Sequence, residues 1–331
     1  MAQRWSVGII GCGRMAGTYD APGSSAPIES HAQAYAQHPR FRLIAAMDPN
    51  EQRLQRFQRA WDVPRGYASL DEFLAIESCE VISVCSPTPC HVPQAMQIME
   101  AAHRPRVLFV EKPLCGHPDE MRQLRDRAEA TGVRVLVNHT RRFDPIHQEL
   151  ASLICSGALG ALLGGRCTYY GGWLNNGTHV VDTVRLLFDS PIEVASSAVV
   201  AGGREGDENL TVRARCAGAT LVLEAIEETH YKLLEFEFRF EQGRARLLDA
   251  GERIIVDRVQ VNRYGERVLV PAEGFPRLGL MNPLAHAVDA IAAILGGEDR
   301  GRALGVDLAA ASETMALVWQ AQELAMPQVA G

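Results

Sequence analysis

The sequence has no long apolar run, no excess of positive charge and no CxxC cysteine pair. A membrane-spanning helix needs about 18 consecutive apolar residues, so we expect none in this chain. A net charge of −7 argues against nucleic acid or an anionic membrane as a partner. The eight cysteines lack regular spacing, which predicts reduced thiols and no metal site. These features favour a cytoplasmic protein.

The composition is that of a globular protein long enough for two domains, with 331 residues, 47% hydrophobic and 22% charged. In the first third, short β-branched runs alternate with helical segments such as Glu51–Trp61 and Pro118–Ala130. This order predicts right-handed βαβ units and a parallel, doubly wound sheet, which binds ligands at the carboxyl ends of its strands. The runs are WSVGII, FRLIAAMD, CEVISVCSP, PRVLFVEKP and GVRVLVNH.

The pattern changes after about residue 145. The stretch EFEFRFE, Glu235–Glu241, alternates strictly, so that Phe236, Phe238 and Phe240 share one face of a strand. Neighbouring runs extend the pattern into a large, mostly antiparallel sheet, and two helices close the chain. We therefore predict a doubly wound α/β domain over residues 1–144 and an α+β domain over residues 145–331.

A glycine motif follows the first apolar run, where Gly11, Gly13 and Ala16 form GxGxxA. Gly11 permits a tight turn, Gly13 lets backbone N–H groups approach a pyrophosphate, and Ala16 allows close packing of a helix on the strand. The pattern alone is weak, but its place between a predicted strand and helix is the one that a dinucleotide needs. Arg14 and Met15, inside the motif, are assigned to the same cofactor site.

Asp48 ends the second apolar run. A carboxylate there accepts hydrogen bonds from ribose hydroxyls and repels a 2′-phosphate, so NAD is favoured over NADP. Asp48 lies further along the chain than the roughly 20 residues expected after the glycines. The segment YDAPGSSAPIES accounts for the excess as an inserted loop. The alternative for Asp48 is a turn or helix-capping role beside Pro49.

Two further stretches make the pattern specific. VEKPL gives Glu111, Lys112 and Pro113 at a strand end, and GTHVVD gives His179 and Asp182 early in the second domain. Together with the glycine motif and SPTPCHVPQAM, they resemble the Gfo/Idh/MocA family, the group of glucose-fructose oxidoreductase and inositol dehydrogenase. The resemblance covers essentially the whole chain, in order and with matching domain sizes.

The resemblance implies a Rossmann domain, a C-terminal sheet domain, bound NAD(P), and oxidation or reduction of a sugar or polyol carbon. It also implies a homodimer or homotetramer formed through the open face of the second sheet, and an often cis Lys112–Pro113 bond. The catalytic lysine carries over to Lys112 and the catalytic histidine to His179. Glu111 and Lys112 are assigned to the cofactor site as well. The family's cofactor loop carries over to Ser86, Pro87, Thr88 and His91.

The chemistry of this reaction agrees with these assignments. When a hydride leaves a C–OH carbon, the hydroxyl proton must leave too, and a histidine such as His179 is suited to accept it. Lys112 can donate to the same oxygen and can depress the histidine pKa by like-charge proximity. The alternatives are a surface lysine near a turn and a polar residue at a helix start.

The stretch GGWLNNGTHVVD leads into an amphipathic helix whose apolar positions are Val180, Val181, Val184, Leu187 and Phe188. Either Asn175 or Asn176 is expected to cap it. Many catalytic family members place an aspartate four residues before the histidine, where this chain has Asn175. An amide can bind a substrate hydroxyl but carries no charge, so we expect Asn175 to position substrate and Asp182 to orient His179.

Three other side chains are candidates for substrate contact. Arg141 and Arg142 lie in NHTRRFDP, where a phosphate or carboxylate of the substrate would find a partner, or where the arginines are simply solvated. Trp173 offers a stacking surface for a sugar, or packs within the domain.

The leading hypothesis is an NAD-dependent dehydrogenase of a sugar, nucleotide-sugar or cyclitol. A non-catalytic NAD-binding sensor is one alternative. The other is a family variant that oxidises its substrate transiently, as a lyase or glycosidase, and returns NAD unchanged.

Overall fold

The computed structural model describes residues 4–18 and 27–326. The chain divides into two compact units, each built from two segments. Unit 1 comprises Met1–Phe143 and Asn282–Ser312, and unit 2 comprises Asp144–Met281 and Glu313–Gly331. The predicted inserted loop lies mostly in residues 19–26, outside the described residues.

Within the described residues, six parallel strands form the sheet of unit 1, in the order β3-β2-β1-β4-β5-β6. This is the strand order of a doubly wound dinucleotide-binding sheet, and it confirms the predicted fold class. The strands are short and mostly buried, as parallel strands covered on both faces must be. They are β1 (Trp5–Ile10), β2 (Phe41–Met47), β3 (Arg65–Tyr67), β4 (Val81–Val84), β5 (Val107–Val110) and β6 (Arg134–Val137).

The helices of both units are numbered together along the chain. Short π-helical turns cover Arg14–Thr18 and Trp173–Gly177. In the described parts of the chain, the α-helices are α1 (His31–Gln37), α2 (Glu51–Trp61), α3 (Leu70–Ile76), α4 (Thr88–Glu100), α5 (Pro118–Thr131), α6 (Thr140–Phe143), α7 (Pro145–Cys155), α8 (Thr178–Leu187), α9 (Pro283–Leu295), α10 (Arg300–Leu304) and α11 (Leu308–Ala325).

Unit 2 is built on a mostly antiparallel sheet in which β7 and β10 form a parallel pair. The predicted alternation holds, because Phe236, Phe238 and Phe240 are buried while Arg239 between them is exposed. The strands are β7 (Leu162–Tyr170), β8 (Ile192–Arg204), β9 (Asp207–Cys216), β10 (Ala219–Ile226), β11 (Glu235–Phe240), β12 (Gly243–Leu248), β13 (Arg253–Val261), β14 (Arg267–Pro271) and β15 (Arg277–Leu278).

The division of the chain differs from the prediction of one continuous domain over residues 145–331. Residues 282–312 belong to unit 1 instead. The reason is the apolar face of α9, where Leu284, Val288 and Ile291 are buried in the same core as Ile9 and Phe109. A helical period shows that a helix has an apolar face, but it does not show which core receives it.

Among the described residues, no helix is both long and apolar enough to cross a membrane. The eight cysteines are free thiols, and no three His, Cys, Asp or Glu side chains of the described ranges gather as a metal site.

Replacing Phe238 should test the core of unit 2. The side chain is fully buried, and its ring lies 5.0 Å from that of Phe188. We expect Phe238→Ala to lower the free energy of unfolding by about 3–5 kcal/mol, because it leaves a cavity. Urea denaturation measures this. The neighbouring exposed Arg239→Ala should change stability by less than about 0.5 kcal/mol, and a comparable loss in both variants would contradict the assignment.

Candidate active site

The glycine turn of unit 1 brings the ends of β1 and β4 together. Gly11 has φ of +84°, and a Cβ there would lie 2.8 Å from the backbone nitrogen of Ser86. A Cβ on Gly13 would meet no described atom within 4 Å, so this side of the turn is open. Arg14 is exposed and Met15 half-buried in the π-helical turn that follows. The turn therefore has the close strand contact and the open approach that a dinucleotide needs.

Close packing after the glycine turn involves Gly17 as well as the predicted Ala16. Ala16 is fully buried, as expected, but Gly17 makes the closest contact. A Cβ on Gly17 would lie 2.3 Å from Nε1 of Trp61, which donates to the Gly17 carbonyl over 3.1 Å. The sequence signal for this contact was the glycine directly after GxGxxA.

Asp48 holds the glycine turn against the end of β2. Its Oδ2 accepts from the Cys12 backbone N–H (2.8 Å) and its Oδ1 from that of Asn50 (2.8 Å). The guanidinium of Arg53 lies 3.6 Å from Oδ2. Asp48 therefore stabilises a turn, as its alternative role predicted, but the residue that caps α2 is Asn50. A carboxylate has about four acceptor positions, so Asp48 can still accept from a ribose hydroxyl.

The loop after β4 is organised by His91, which is almost fully buried. Nε2 lies 2.8 Å from the Ser86 carbonyl and Nδ1 lies 2.9 Å from the Pro113 carbonyl. Both contacts are hydrogen bonds only when both ring nitrogens carry protons, because neutral imidazole donates from one nitrogen. Because His91 is buried, with its ring nitrogens beside the Ser86 and Pro113 carbonyls, it supports the loop instead of contacting a cofactor, which corrects its predicted role.

The rest of this loop begins α4. Pro87 precedes the first helical residue, Thr88, and is exposed, while Thr88 is half-buried. The Ser86 hydroxyl donates to Oε1 of Gln94 over 2.6 Å. The Lys112–Pro113 bond is cis, as the resemblance implied.

Glu111 is the centre of a buried hydrogen-bonded cluster. Its Oε1 lies 2.8 Å from Nε2 of His31 and accepts from Nδ2 of Asn138 over 2.7 Å, while the Lys112 backbone N–H lies 3.3 Å from Oε2. Burial disfavours the charged carboxylate, but the hydrogen bond and charge of His31, with Asn138 and Lys112, hold the pKa of Glu111 below 4.5. Glu111 thus supports the strand end, and its contact with the cofactor stays a prediction.

His31 was missed by the sequence reasoning. His31 begins α1, directly after its capping residue Ser30, and it is fully buried. The available signal was a histidine at the start of a short, uncharged helix, HAQAYAQ. The half-buried Lys112 follows this cluster at the end of β5.

Arg141 and Arg142 are both buried in α6, with 5% and 7% of their surface exposed. The possibility of solvated arginines is therefore wrong. Gly305, at φ of +63°, leaves room for Arg142, since a Cβ there would lie 2.6 Å from Nη1. A substrate contact of either arginine stays a prediction.

In unit 2, the apolar face of α8 is buried as predicted. The expected helix cap is wrong, because the helical backbone already begins at Trp173, in the π-helical turn. Asn175 and Asn176 therefore lie inside the turn and donate backwards, to the Gly171 (3.3 Å) and Tyr170 (2.7 Å) carbonyls.

The actual cap comes from β9. The carboxylate of Asp207 accepts from the backbone N–H groups of Leu174 (2.6 Å) and Asn175 (3.0 Å). Burial raises the pKa of Asp207 above 3.8, against the opposing effect of these two hydrogen bonds and of Arg204. No sequence pattern pointed to this carboxylate, because it lies on a different strand.

His179 and Asp182 lie on one face of α8, three residues apart. His179 is half-buried, whereas Asp182 is 3% exposed. Oδ1 of Asp182 accepts from the Thr314 hydroxyl over 3.1 Å, and that hydroxyl also accepts from Arg185 over 2.6 Å. Asp182 thus joins α8 to α11, and its orientation of His179 stays a prediction.

Trp173 is 1% exposed, and its indole N–H donates to the Val318 carbonyl over 2.9 Å. Its ring packs against Tyr169, 5.7 Å away. Because both the ring and its N–H are engaged inside unit 2, the predicted sugar-stacking role is wrong and the packing alternative is right.

Unit 1 has the strand order and glycine turn of a dinucleotide-binding domain. The sequence model of the oxidoreductase family with an NAD-binding Rossmann fold, GFO_IDH_MocA, matches residues 5–139. Residues 5–139 are therefore similar to the NAD-binding domain of the Gfo/Idh/MocA family.

Two curated relatives illustrate the similarity. Trans-1,2-dihydrobenzene-1,2-diol dehydrogenase of Mus musculus is 26% identical over 215 residues, 60% of this chain and 60% of that protein. The scyllo-inositol 2-dehydrogenase (NAD(+)) of Bacillus subtilis (strain 168) is 27% identical over 122 residues, 37% of this chain and 35% of that protein. The matched parts thus span less than two thirds of either relative.

Solved structures match over nearly the whole chain. The WlbA dehydrogenase from Bordetella pertussis, in complex with NADH and UDP-GlcNAcA, has a TM-score of 0.78 at 19% identity, with 99% of each chain covered. KijD10, a 3-ketoreductase from Actinomadura kijaniata in complex with NADP, has a TM-score of 0.77 at 17% identity, with 98% of each covered. At these identities, the likeness shows a shared fold.

Replacing Glu111 should test whether its ionised carboxylate stabilises the folded protein. Because its folded-state pKa lies below 4.5, the ionised carboxylate contributes stability above that value, and the contribution is lost as pH falls through the lower folded pKa. We expect Glu111→Gln to lower the free energy of unfolding by about 2 kcal/mol at neutral pH and by less in acid, measured by urea denaturation. The exposed Glu129→Gln serves as control. A Glu111→Gln effect that stays constant into acid would contradict this prediction.

Proposed function

We propose that the protein is an NAD-dependent dehydrogenase of a sugar, nucleotide-linked sugar or cyclitol. The observation that carries the proposal is the placement of Lys112. It follows a strand end fixed by the buried Glu111 cluster. The carbonyl of the next residue, Pro113, lies 2.9 Å from Nδ1 of His91, and Nε2 of that ring lies 2.8 Å from the Ser86 carbonyl in the loop that follows β4. A cation fixed beside a dinucleotide loop is suited to stabilise charge that develops on a substrate oxygen.

The lysine content of the chain supports this role. The sequence has two lysines, Lys112 and Lys232, against 31 arginines. A guanidinium stays protonated throughout the physiological range, whereas a lysine ammonium can lose its proton when its surroundings require it. A lysine at position 112, in a chain whose basic residues are almost all arginine, fits a site where Nζ exchanges a proton or hydrogen bond with substrate.

The residues of unit 1 fit a bound dinucleotide. Gly13 leaves the turn open, Asp48 has acceptor capacity for a ribose, and Ser86 lies against Gly11. When bound, NAD supplies the acceptor or donor of the hydride. We assign the pyrophosphate to the backbone of the Gly11–Gly13 turn, with Met15 and Arg14 beside it.

The proton chemistry is assigned to unit 2. His179 takes the hydroxyl proton of the substrate, and Asn175 offers an amide to a substrate hydroxyl. Asp182 keeps α8 in place through Thr314 and Arg185, and so holds His179. Relatives that act on inositol or hold a UDP-linked sugar support the substrate class.

The polar face of the unit 2 sheet is the surface that we propose for a homodimer or homotetramer. Glu237, Arg244 and Asp257 form a ladder of ion pairs there, with Arg244 Nη2 2.9 Å from Asp257. The cytoplasmic location expected from the sequence stays a prediction.

Replacing Lys112 should separate chemistry from cofactor binding. We expect Lys112→Ala to lower kcat by about 10²–10³-fold on any accepted sugar, with the Kd for NADH within about twofold of wild type. Lys112→Arg should keep the charge but recover little activity, because its geometry and acidity differ. Reduced-nicotinamide absorbance measures turnover, and the exposed Arg125→Ala is the control for loss of a cation.

The same assay distinguishes other family roles. NAD binding without turnover of any sugar or polyol would indicate a sensor. Substrate turnover without net NADH would indicate transient oxidation. Full activity of Lys112→Ala would contradict the assigned role of the lysine.

The coenzyme preference depends on Asp48 and its neighbour Arg53. We propose that the buried carboxylate repels a 2′-phosphate, so NADH binds at least about tenfold more tightly than NADPH. Asp48→Asn should narrow this ratio, measured as two Kd values by nicotinamide fluorescence. A wild-type preference for NADPH, abolished in Arg53→Ala, would show instead that Arg53, 3.6 Å from Asp48, receives the phosphate.

A further inference from the structure

The turn that carries Asn175 is fastened by two side chains of β9. Asp207 accepts from the N–H groups of Leu174 (2.6 Å) and Asn175 (3.0 Å). Oδ1 of Asn209, which is fully buried, accepts from the N–H of Gly172 over 3.0 Å. The first backbone donors of the helical run that leads to His179 are therefore satisfied by another strand.

Gly172 leaves the space that the carboxylate of Asp207 occupies. Its φ is +98°, and a Cβ built on it would lie 2.0 Å from Oδ2 of Asp207 and 2.3 Å from its Cγ. Any other residue at this position would collide with the carboxylate and would also be strained. The glycine and the aspartate therefore form a matched pair, since one leaves the space that the other fills.

The geometry requires a carboxylate in particular. Two N–H donors face the two oxygens of Asp207, and a carboxylate accepts at both. An asparagine would turn its own NH₂ toward one of these donors. The negative charge also lies at the N-terminal end of the helical run from Trp173 to Leu187, where the helix dipole favours an anion.

We propose that Asp207 is a positioning residue for catalysis, which holds the backbone of Leu174 and Asn175 and thereby sets Asn175 and His179. The inference rests on the proposed function, in which these two residues meet the substrate. Asp207 itself acts through the turn and takes no part in proton transfer. The side chain of Asn175 is neutral, and the negative charge near this turn is that of the Asp207 carboxylate, which accepts from the backbone N–H of Asn175.

The test compares Asp207→Asn with Glu208→Gln, which removes the charge of the exposed neighbouring residue. Hydrogen exchange of the peptide 172–179, followed by mass spectrometry, reports on the turn, and the peptide 236–240 serves as internal reference. We expect at least about tenfold faster exchange in Asp207→Asn for the 172–179 peptide alone, and wild-type exchange in Glu208→Gln.

Activity gives the second readout. A displaced catalytic group costs about 10²-fold in rate, so Asp207→Asn should lose kcat on this scale while the Kd for NADH stays within twofold. Asp207→Glu keeps two carboxylate oxygens and should recover part of both protection and kcat. If Asp207→Asn does not fold, the smaller Asp207→Ser replaces it in both measurements.

The inference is overturned if Asp207→Asn exchanges like wild type, or if its kcat equals that of Glu208→Gln. It is also overturned if faster exchange leaves kcat unchanged. Failure of the proposed function has a different signature, because wild type itself would then turn over no sugar or polyol. In that case the exchange measurement still decides whether Asp207 holds the turn.

Discussion

A buried carboxylate, Glu111, organises the part of unit 1 on which the proposed chemistry depends. An ion inside a protein is stable only when its hydrogen bonds are satisfied, and the donors here come from α1, from the end of β6 and from the backbone of Lys112. The position of the strand end is thereby coupled to a helix that lies 80 residues earlier in the chain, through His31. Loss of any of these donors would leave the buried charge less well satisfied and would destabilise the fold.

Unit 2 uses a second carboxylate in a similar way but with a different electrostatic balance. Each carboxylate accepts from the backbone N–H of a residue with a proposed catalytic role. Glu111 accepts from Lys112, and Asp207 accepts from Asn175. The pKa of Glu111 is lowered because a histidine donates to it directly, whereas the pKa of Asp207 is raised because burial outweighs neutral amide donors. The charge of Glu111 is therefore the more secure of the two at low pH.

The fold was predictable because its signals are local. Alternating β-branched runs and helices predicted the parallel sheet, and EFEFRFE predicted a half-buried strand. Motif residues such as Gly11 and Lys112 were found for the same reason. His31 and Asp207 were missed because their partners are distant in sequence. Trp173 and His91 were misassigned because a motif identifies a segment but does not show whether its polar atoms already have partners within the protein.

Unit 1 is assembled from two distant segments of the chain, so its parts are synthesised at different times. Helix α9 completes the core around Ile9 and Phe109, yet the whole of residues 144–281 is synthesised first. Domains generally fold in order as they leave the ribosome. Here the strands of the unit 2 sheet are all available while the first sheet still exposes the apolar surface that α9 will cover. The core of unit 1 is therefore completed only after α9 has been synthesised, long after the strands that it covers.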